Sequence, residues 1–227
     1  MKPVPISVMQ EIDRRSETEF GISSLQLMEN AGRAVAAEAD KFASEKLGKK
    51  IDAVKIVVCC GRGNNGGDGI ACARALKSKG AQIQLFCLPP GDKPLKSELK
   101  TQIERAGQEG LPSIAPGDEA ALDAALAGAD LVIDAVLGTG AKGKPMGPAH
   151  YLIQKMMKAK KPLLSLDNPS GIDADTGYHT GAFIQAARTI TLGLPKQGLL
   201  KPHAQRYVGE LVVVDIGHPQ ELLRPYL

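Results

Sequence analysis

From residue 54 to residue 216 the chain alternates short apolar runs with helical patterns, and this alternation limits the fold more than any other feature. Residues 54–60 are rich in β-branched residues and, Lys55 aside, apolar, as a strand buried on both faces must be. Residues 67–79 then read as a helix that stops at Gly80, a glycine well placed to end it. The pattern predicts further strands at 83–87, 113–115, 131–136, 163–167, 189–193 and 210–216, and helices at 96–106, 118–127 and 149–159. Strands alternating with helices imply a mostly parallel sheet covered on both faces, because right-handed crossovers put the helices there. Upstream, Ser23 and Gln26 form a capping box that opens a helix running to residue 46. No linker, repeat or low-complexity tract divides the chain. The expectation is one α/β domain over residues 1–227 with an N-terminal helical extension.

Composition excludes more than it selects. A net charge of +3 is too small to argue for nucleic acid or a membrane surface. Residues 1–13 contain no apolar signal core, and no window approaches the roughly 20 apolar residues of a membrane span. The four cysteines lack ligand-like spacing: Cys59 and Cys60 are adjacent in a strand, Cys72 and Cys87 stand alone, and the four histidines are scattered. Reduced structural cysteines in a cytoplasmic protein follow, and a zinc site does not.

In sheets of this kind, ligands bind where loops leave the carboxyl ends of the strands. The polar, glycine-rich segments 61–69, 138–147, 168–177 and 194–198 all fall there. Gly61, Gly63 and Gly66 fit the glycine spacing of a dinucleotide loop between a strand and a helix. The acidic residue that would hold the ribose about 20 residues on is missing, since Leu85-Phe86-Cys87-Leu88 is followed by nothing acidic before Asp92. That weighs against an ordinary dehydrogenase. Tyr151 and Lys155 match the catalytic spacing of short-chain dehydrogenases, but the accompanying glycine loop and serine are absent. Tyr151 therefore reads as a packing residue and Lys155 as solvated.

Asn64, Asn65 and Asp68 are unexpected in a phosphate loop. With Asp134 at a strand end and Ser170 in Asp167-Asn168-Pro169-Ser170-Gly171, they make an oxygen-rich set without His or Cys, which suits a hard cation. The same groups can instead cap helices and tie loops together.

The segments GRGNNGGDGIACARAL, DAVLGTG and SLDNPSGIDADTG, with LMENAGRAV upstream and GLPKQGL downstream, closely resemble the NAD(P)HX epimerase family, also called the YjeF N-terminal domain. The likeness covers nearly the whole chain in the family's order, with Asn168 as a departure where an aliphatic residue is usual. It implies a Rossmann-like three-layer α/β/α sandwich in stand-alone form, without the fused dehydratase of many bacterial members.

The implied activity is a redox-neutral repair reaction, needing no redox cofactor. Hydration of the nicotinamide C5=C6 bond puts a hydroxyl at C6 in either configuration, and the family interconverts the two epimers of NADHX or NADPHX. C6 is bonded to the ring nitrogen, so loss of hydroxide to a planar iminium or ring opening to an aldehyde erases the stereocentre. Both routes move a proton at the C6 hydroxyl. By resemblance, Asn64, Asn65, Gly66, Gly67 and Asp68 contact the substrate, as do Gly138, Thr139, Gly140, Ala141, Lys142, Gly143 and Lys144. Asp167 lies there too and is the expected acid/base. Asn65, Asp134 and Ser170 are the implied ligands of one K+ per subunit. Lys142, Lys144 and Lys196 could neutralise phosphate or assist Asp167, although a solvated role is the favoured reading for any one of them. A homodimer acting with a separate NAD(P)HX dehydratase is implied, without nucleic acid or membrane. Two other classes compete: a non-catalytic interaction module, since eukaryotic relatives occur in RNA-processing proteins, and a nicotinamide oxidoreductase.

Overall fold

The computed structural model describes residues 1–91 and 94–227; Asp92 lies outside the described residues. Among the described residues there are seven strands: β1 Lys55–Cys60, β2 Gln82–Cys87, β3 Ser113–Ile114, β4 Leu131–Ala135, β5 Leu163–Leu166, β6 Arg188–Leu192 and β7 Glu210–Val214. They form a sheet in the order β3-β2-β1-β4-β5-β6-β7, and every pairing is parallel. The chain builds outward from β1 to β3, then crosses back to lay β4 on the other side of β1. That reversal leaves a crevice above the paired ends Cys60 and Ala135.

The alternation of side chains along β1 sorts the two cores. Ile56, Val58 and Cys60 pack under α2 (Ser24–Phe42), α3 (Asn64–Ser78) and α4 (Ser97–Gln108). Val57 and Cys59 face α5 (Glu119–Gly128) and α6 (Gly147–Lys158). Cys59 and Cys60 thus point to opposite faces, as adjacent strand residues must. The helix α2 is capped as its sequence predicts, with Ser23 Oγ accepting from the Gln26 N–H at 3.2 Å. It is α-helical only to Phe42; a π-turn over Ala43–Leu47 carries it to Gly48, whose φ of +62° ends it. Gly32 lets α2 lie directly on α3, since a Cβ there would sit 2.5 Å from the Cβ of Ala71.

The N-terminal helix α1 (Ile6–Phe20) is integral to this body. Val4 pairs with Lys196 in a parallel bridge: its N–H donates to the Pro195 carbonyl at 2.9 Å and its carbonyl accepts from the Gln197 N–H at 2.9 Å. Met9 and Ile12 bury against Leu194, Leu222 and Leu223. The helix therefore becomes one wall of the crevice.

Lys155 is a correction. It reaches from α6 to Glu119 and Asp123 of α5, and these hydrogen bonds, that to Asp123 foremost, raise its pKa. The lysine is thus ion-paired and only partly exposed, rather than freely solvated.

Candidate active site

The crevice has a volume of about 710 Å³, and its walls come from α1, the start of α3 and the loops after β1, β4, β5 and β6. A second cavity of about 430 Å³ lies at the opposite edge, lined by β1, β2 and α5. It gathers no comparable set of polar groups.

The loop after β1 is shorter than its glycines suggest. Helix α3 starts at Asn64, with Gly63 as N-cap, so Asn64, Asn65, Gly66 and Gly67 form its first turn. The helix was expected only from Gly67 because the first turn has no apolar periodicity. The glycines are required by close packing. A Cβ on Gly61 would lie 1.9 Å from the Val136 carbonyl oxygen, and one on Gly66 would lie 2.2 Å from that of Gly61. Gly67 lies against the Met28 side chain, which accounts for the upstream motif. These contacts place the free N–H groups of the α3 N-terminus at the crevice, a natural seat for phosphate.

Asn64, Asn65, Asp68, Gly138, Thr139, Gly140, Ala141 and Asp167 all border the crevice. Gly66 and Gly67 are buried beneath it. Lys142, Gly143 and Lys144 are exposed and lie outside its walls.

Asp134 and Ser170 are fully buried under the loop that follows β4. Asp134 accepts four hydrogen bonds, from the N–H groups of Val136 and Ser170 and the hydroxyls of Ser165 and Ser170. Burial raises its pKa against the pull of these donors. The Ser170 hydroxyl in turn accepts the Leu137 N–H at 2.8 Å. Next along, Gly138 lies against the side chain of Asn65. Asn65 is buried, and neither its amide nitrogen nor its Oδ1 has a partner among the described residues. An orphaned buried carbonyl oxygen against the loop that covers a carboxylate and a hydroxyl fits a hard monovalent cation. Asn65 supplies the open valence, while Asp134 and Ser170 are already committed to protein donors.

Asp167 lies just beyond β5, not within it. Its φ of +65° and the Asn168 N–H bonded to the Leu166 carbonyl at 2.8 Å make it the centre of a γ-turn. Such a conformation costs on the order of 1–3 kcal/mol in a non-glycine residue. Its Oδ1 accepts from Lys196 Nζ at 2.5 Å, from the Leu192 N–H at 3.2 Å and from the Thr191 hydroxyl at 3.4 Å. Lys196 is the clearest correction to the sequence reading. It is only 2% exposed, and its three ammonium hydrogens go to Asp167, the Thr191 hydroxyl and the Leu192 carbonyl. The departure at Asn168 packs locally: its amide donates to the carbonyls of Pro169 and Ile172.

Sequence reasoning also missed Asp13 and His218. His218 Nε2 lies 2.8 Å from Asp13 Oδ1, and both residues line the crevice. They are separated by 205 positions, so no local pattern connects them.

The chain is similar to known proteins over most or all of its length. A family model described as "YjeF-related protein N-terminus" matches residues 24–198. A protein of Elusimicrobium minutum named NAD(P)H-hydrate epimerase is 36% identical, the match covering 98% of this chain and 99% of that one. A protein of Moorella thermoacetica named bifunctional NAD(P)H-hydrate repair enzyme Nnr is 38% identical over 97% of this chain, which spans 41% of that protein's length. The crystal structure of yeast YNL200c shares the fold at a TM-score of 0.83, with 24% identity over the whole chain and 93% of its own.

Proposed function

The chain belongs to the family of YjeF-related protein N-termini, and on that premise we propose that it is an isomerase interconverting the two C6 epimers of hydrated NADH and NADPH. The observation that carries the reading is the Asp167–Lys196 pair, held in strained backbone at the bottom of a dinucleotide-sized crevice. The name and full-length match of the Elusimicrobium minutum relative support it.

Asp167 is the group that exchanges the proton at the C6 hydroxyl. Lys196 and the Leu192 N–H fix Oδ1. The other oxygen, Oδ2, accepts from none of the described residues and is left for the substrate. The α3 N-terminus receives phosphate, and Gly138 to Ala141 close over the dinucleotide. Lys142 and Lys144 act from outside, against phosphate. A potassium ion would be held by Asn65 with Asp134 and Ser170, tying the α3 N-terminus to the loop after β4; the charge it supplies there steadies both walls. The reaction is redox-neutral, and no proton or electron acceptor beyond water and side chains enters it.

The reading includes a separate dehydratase that consumes one epimer. Its support is the bifunctional repair enzyme of Moorella thermoacetica, of which this chain covers less than half. A cytoplasmic location and a homodimer belong to the same reading; the homodimer rests on the family resemblance alone. Among the described residues, no helix is long and apolar enough to cross a membrane.

The test is to incubate one purified epimer with the protein. Chromatography should show relaxation to a mixture of both, with no change in absorbance at the reduced-nicotinamide band. A change in that band with no second epimer would indicate an oxidoreductase and end this reading.

A further inference from the structure

Four aspartates lie in or beneath the crevice; Asp13 is paired with His218, and the fold treats the other three differently. Asp134 takes four hydrogen bonds. Asp167 takes three, one of them from an ammonium. Asp68, on the second turn of α3, takes none from the described residues, although it is only 9% exposed and borders the same crevice. A carboxylate so buried, with neither a donor nor a cation of its own, is costly in ionised form. Its neighbours do not relieve it. Asp167 and Asp13 add like charge, and the charge of Lys196 is already paired with Asp167.

We propose that Asp68 is the second proton carrier of the site, entering the reaction as a neutral carboxylic acid opposite Asp167, which is paired with Lys196. This rests on the epimerase reading and adds a catalytic residue to it. Burial foremost, then the charges of Asp167 and Asp13, push its pKa well above the usual carboxylate range, with Lys196 opposing. Environments that drive two carboxyl groups apart assign one as acid and the other as base. Asp68 gives its proton to the C6 hydroxyl; the C6–O bond breaks, water leaves, and the ring-nitrogen lone pair forms the C=N bond of the iminium. Water then adds to the other face of C6 and its proton passes to the Asp167 carboxylate. One water is lost and one gained. The proton moved from Asp68 to Asp167 is returned by the reverse passage or through solvent.

The groups facing Asp68 are Asp167 and Lys196 from the ends of β5 and β6, Asp13 from α1, and Cys72 one turn along α3; His218 lines the same crevice. Cys72 is itself pushed up by burial and by Asp68, so it stays a neutral thiol. The alkaline limb of kcat is therefore assigned to Asp68 by comparing variants.

The experiment measures interconversion of a purified NADPH-hydrate epimer by wild type and by Asp68→Asn, with binding of the same compound followed by calorimetry. The expected result is a kcat lowered by about 10²–10⁴-fold, binding changed less than about threefold, and an alkaline limb of kcat that is present in wild type and absent in the variant. A variant with normal kcat at saturation, or one that loses only binding, overturns the assignment. If Asp68→Asn fails to fold, Asp68→Glu decides: an alkaline limb of kcat displaced from its wild-type position supports Asp68, and an unmoved limb overturns the assignment. A wild type that leaves a single epimer unchanged removes the epimerase reading and this inference together. An active wild type with a fully active variant removes this inference alone.

Discussion

Lys196 Nζ lies 2.5 Å from Asp167 Oδ1, and the bridge between Val4 and Lys196 ties the segment carrying that lysine to the first residues of the chain. The catalytic pair is thus held from two directions, by the γ-turn after β5 and by the N-terminal segment. Asp167→Asn should fold, bind the dinucleotide, and lose about 10²–10⁴-fold in kcat. Lys196→Met should lose more stability than Asp167→Asn, because it leaves a carboxylate buried without its cation, a loss of about 3–5 kcal/mol. Thermal melts and saturating kinetics on both variants check this. Normal turnover in Asp167→Asn would move the proton chemistry elsewhere.

The glycines at the crevice separate by what surrounds them. Gly66→Ala should destabilise by about 1–3 kcal/mol, since its Cβ must displace the Gly61 backbone. Gly140→Ala, where nothing lies within 4 Å, should leave stability within about 0.5 kcal/mol. Equal melting temperatures for the two variants would show that the close packing is not limiting.

If Asn65 supplies a cation ligand, potassium should raise the melting temperature more than caesium or lithium at equal ionic strength. A hundredfold excess over the dissociation constant gives about 2.7 kcal/mol. In Asn65→Ala that difference between cations should vanish. A wild-type melt indifferent to the cation would exclude the site.

Asp68 also predicts a pH dependence of stability in potassium-free buffer. Its pKa is raised in the folded protein, so the folded state binds more protons than the unfolded one between the two pKa values. Stability from this group is fully present below the unfolded value of about 3.9 and is lost as pH rises through the folded pKa. Asp68→Asn cannot titrate. Its melting temperature should therefore gain on wild type as pH rises, and a constant gap would contradict the raised pKa.

Much of this was legible in the sequence because strands and helices write their periods locally. The run of apolar residues before Gly61 placed β1, and the spacing of Leu25, Met28, Ala31, Val35 and Ala39 placed α2. The motifs also brought Asn65, Asp134, Asp167 and Ser170 to one end of the sheet. What failed to show was long-range. Lys196 is buried by contacts with Asp167, Thr191 and the N-terminal segment, none of which its local pattern reveals. Asp13 and His218 are joined only by the fold. The start of α3 was missed because Asn64 to Gly66 read as a turn, although their packing makes them helical. Asp167 read as the last residue of a strand because its turn depends on one backbone bond, from Asn168 to Leu166.

The most direct measurement supplies a mixture of both hydrate epimers to a dehydratase specific for the S epimer, with and without this protein. The account predicts that the dehydratase alone stops when the S epimer is exhausted. Catalytic amounts of this protein should then let the R epimer be consumed completely, restoring all the reduced nucleotide. If the R epimer persists with the protein present and folded, the chain is not an epimerase of these compounds.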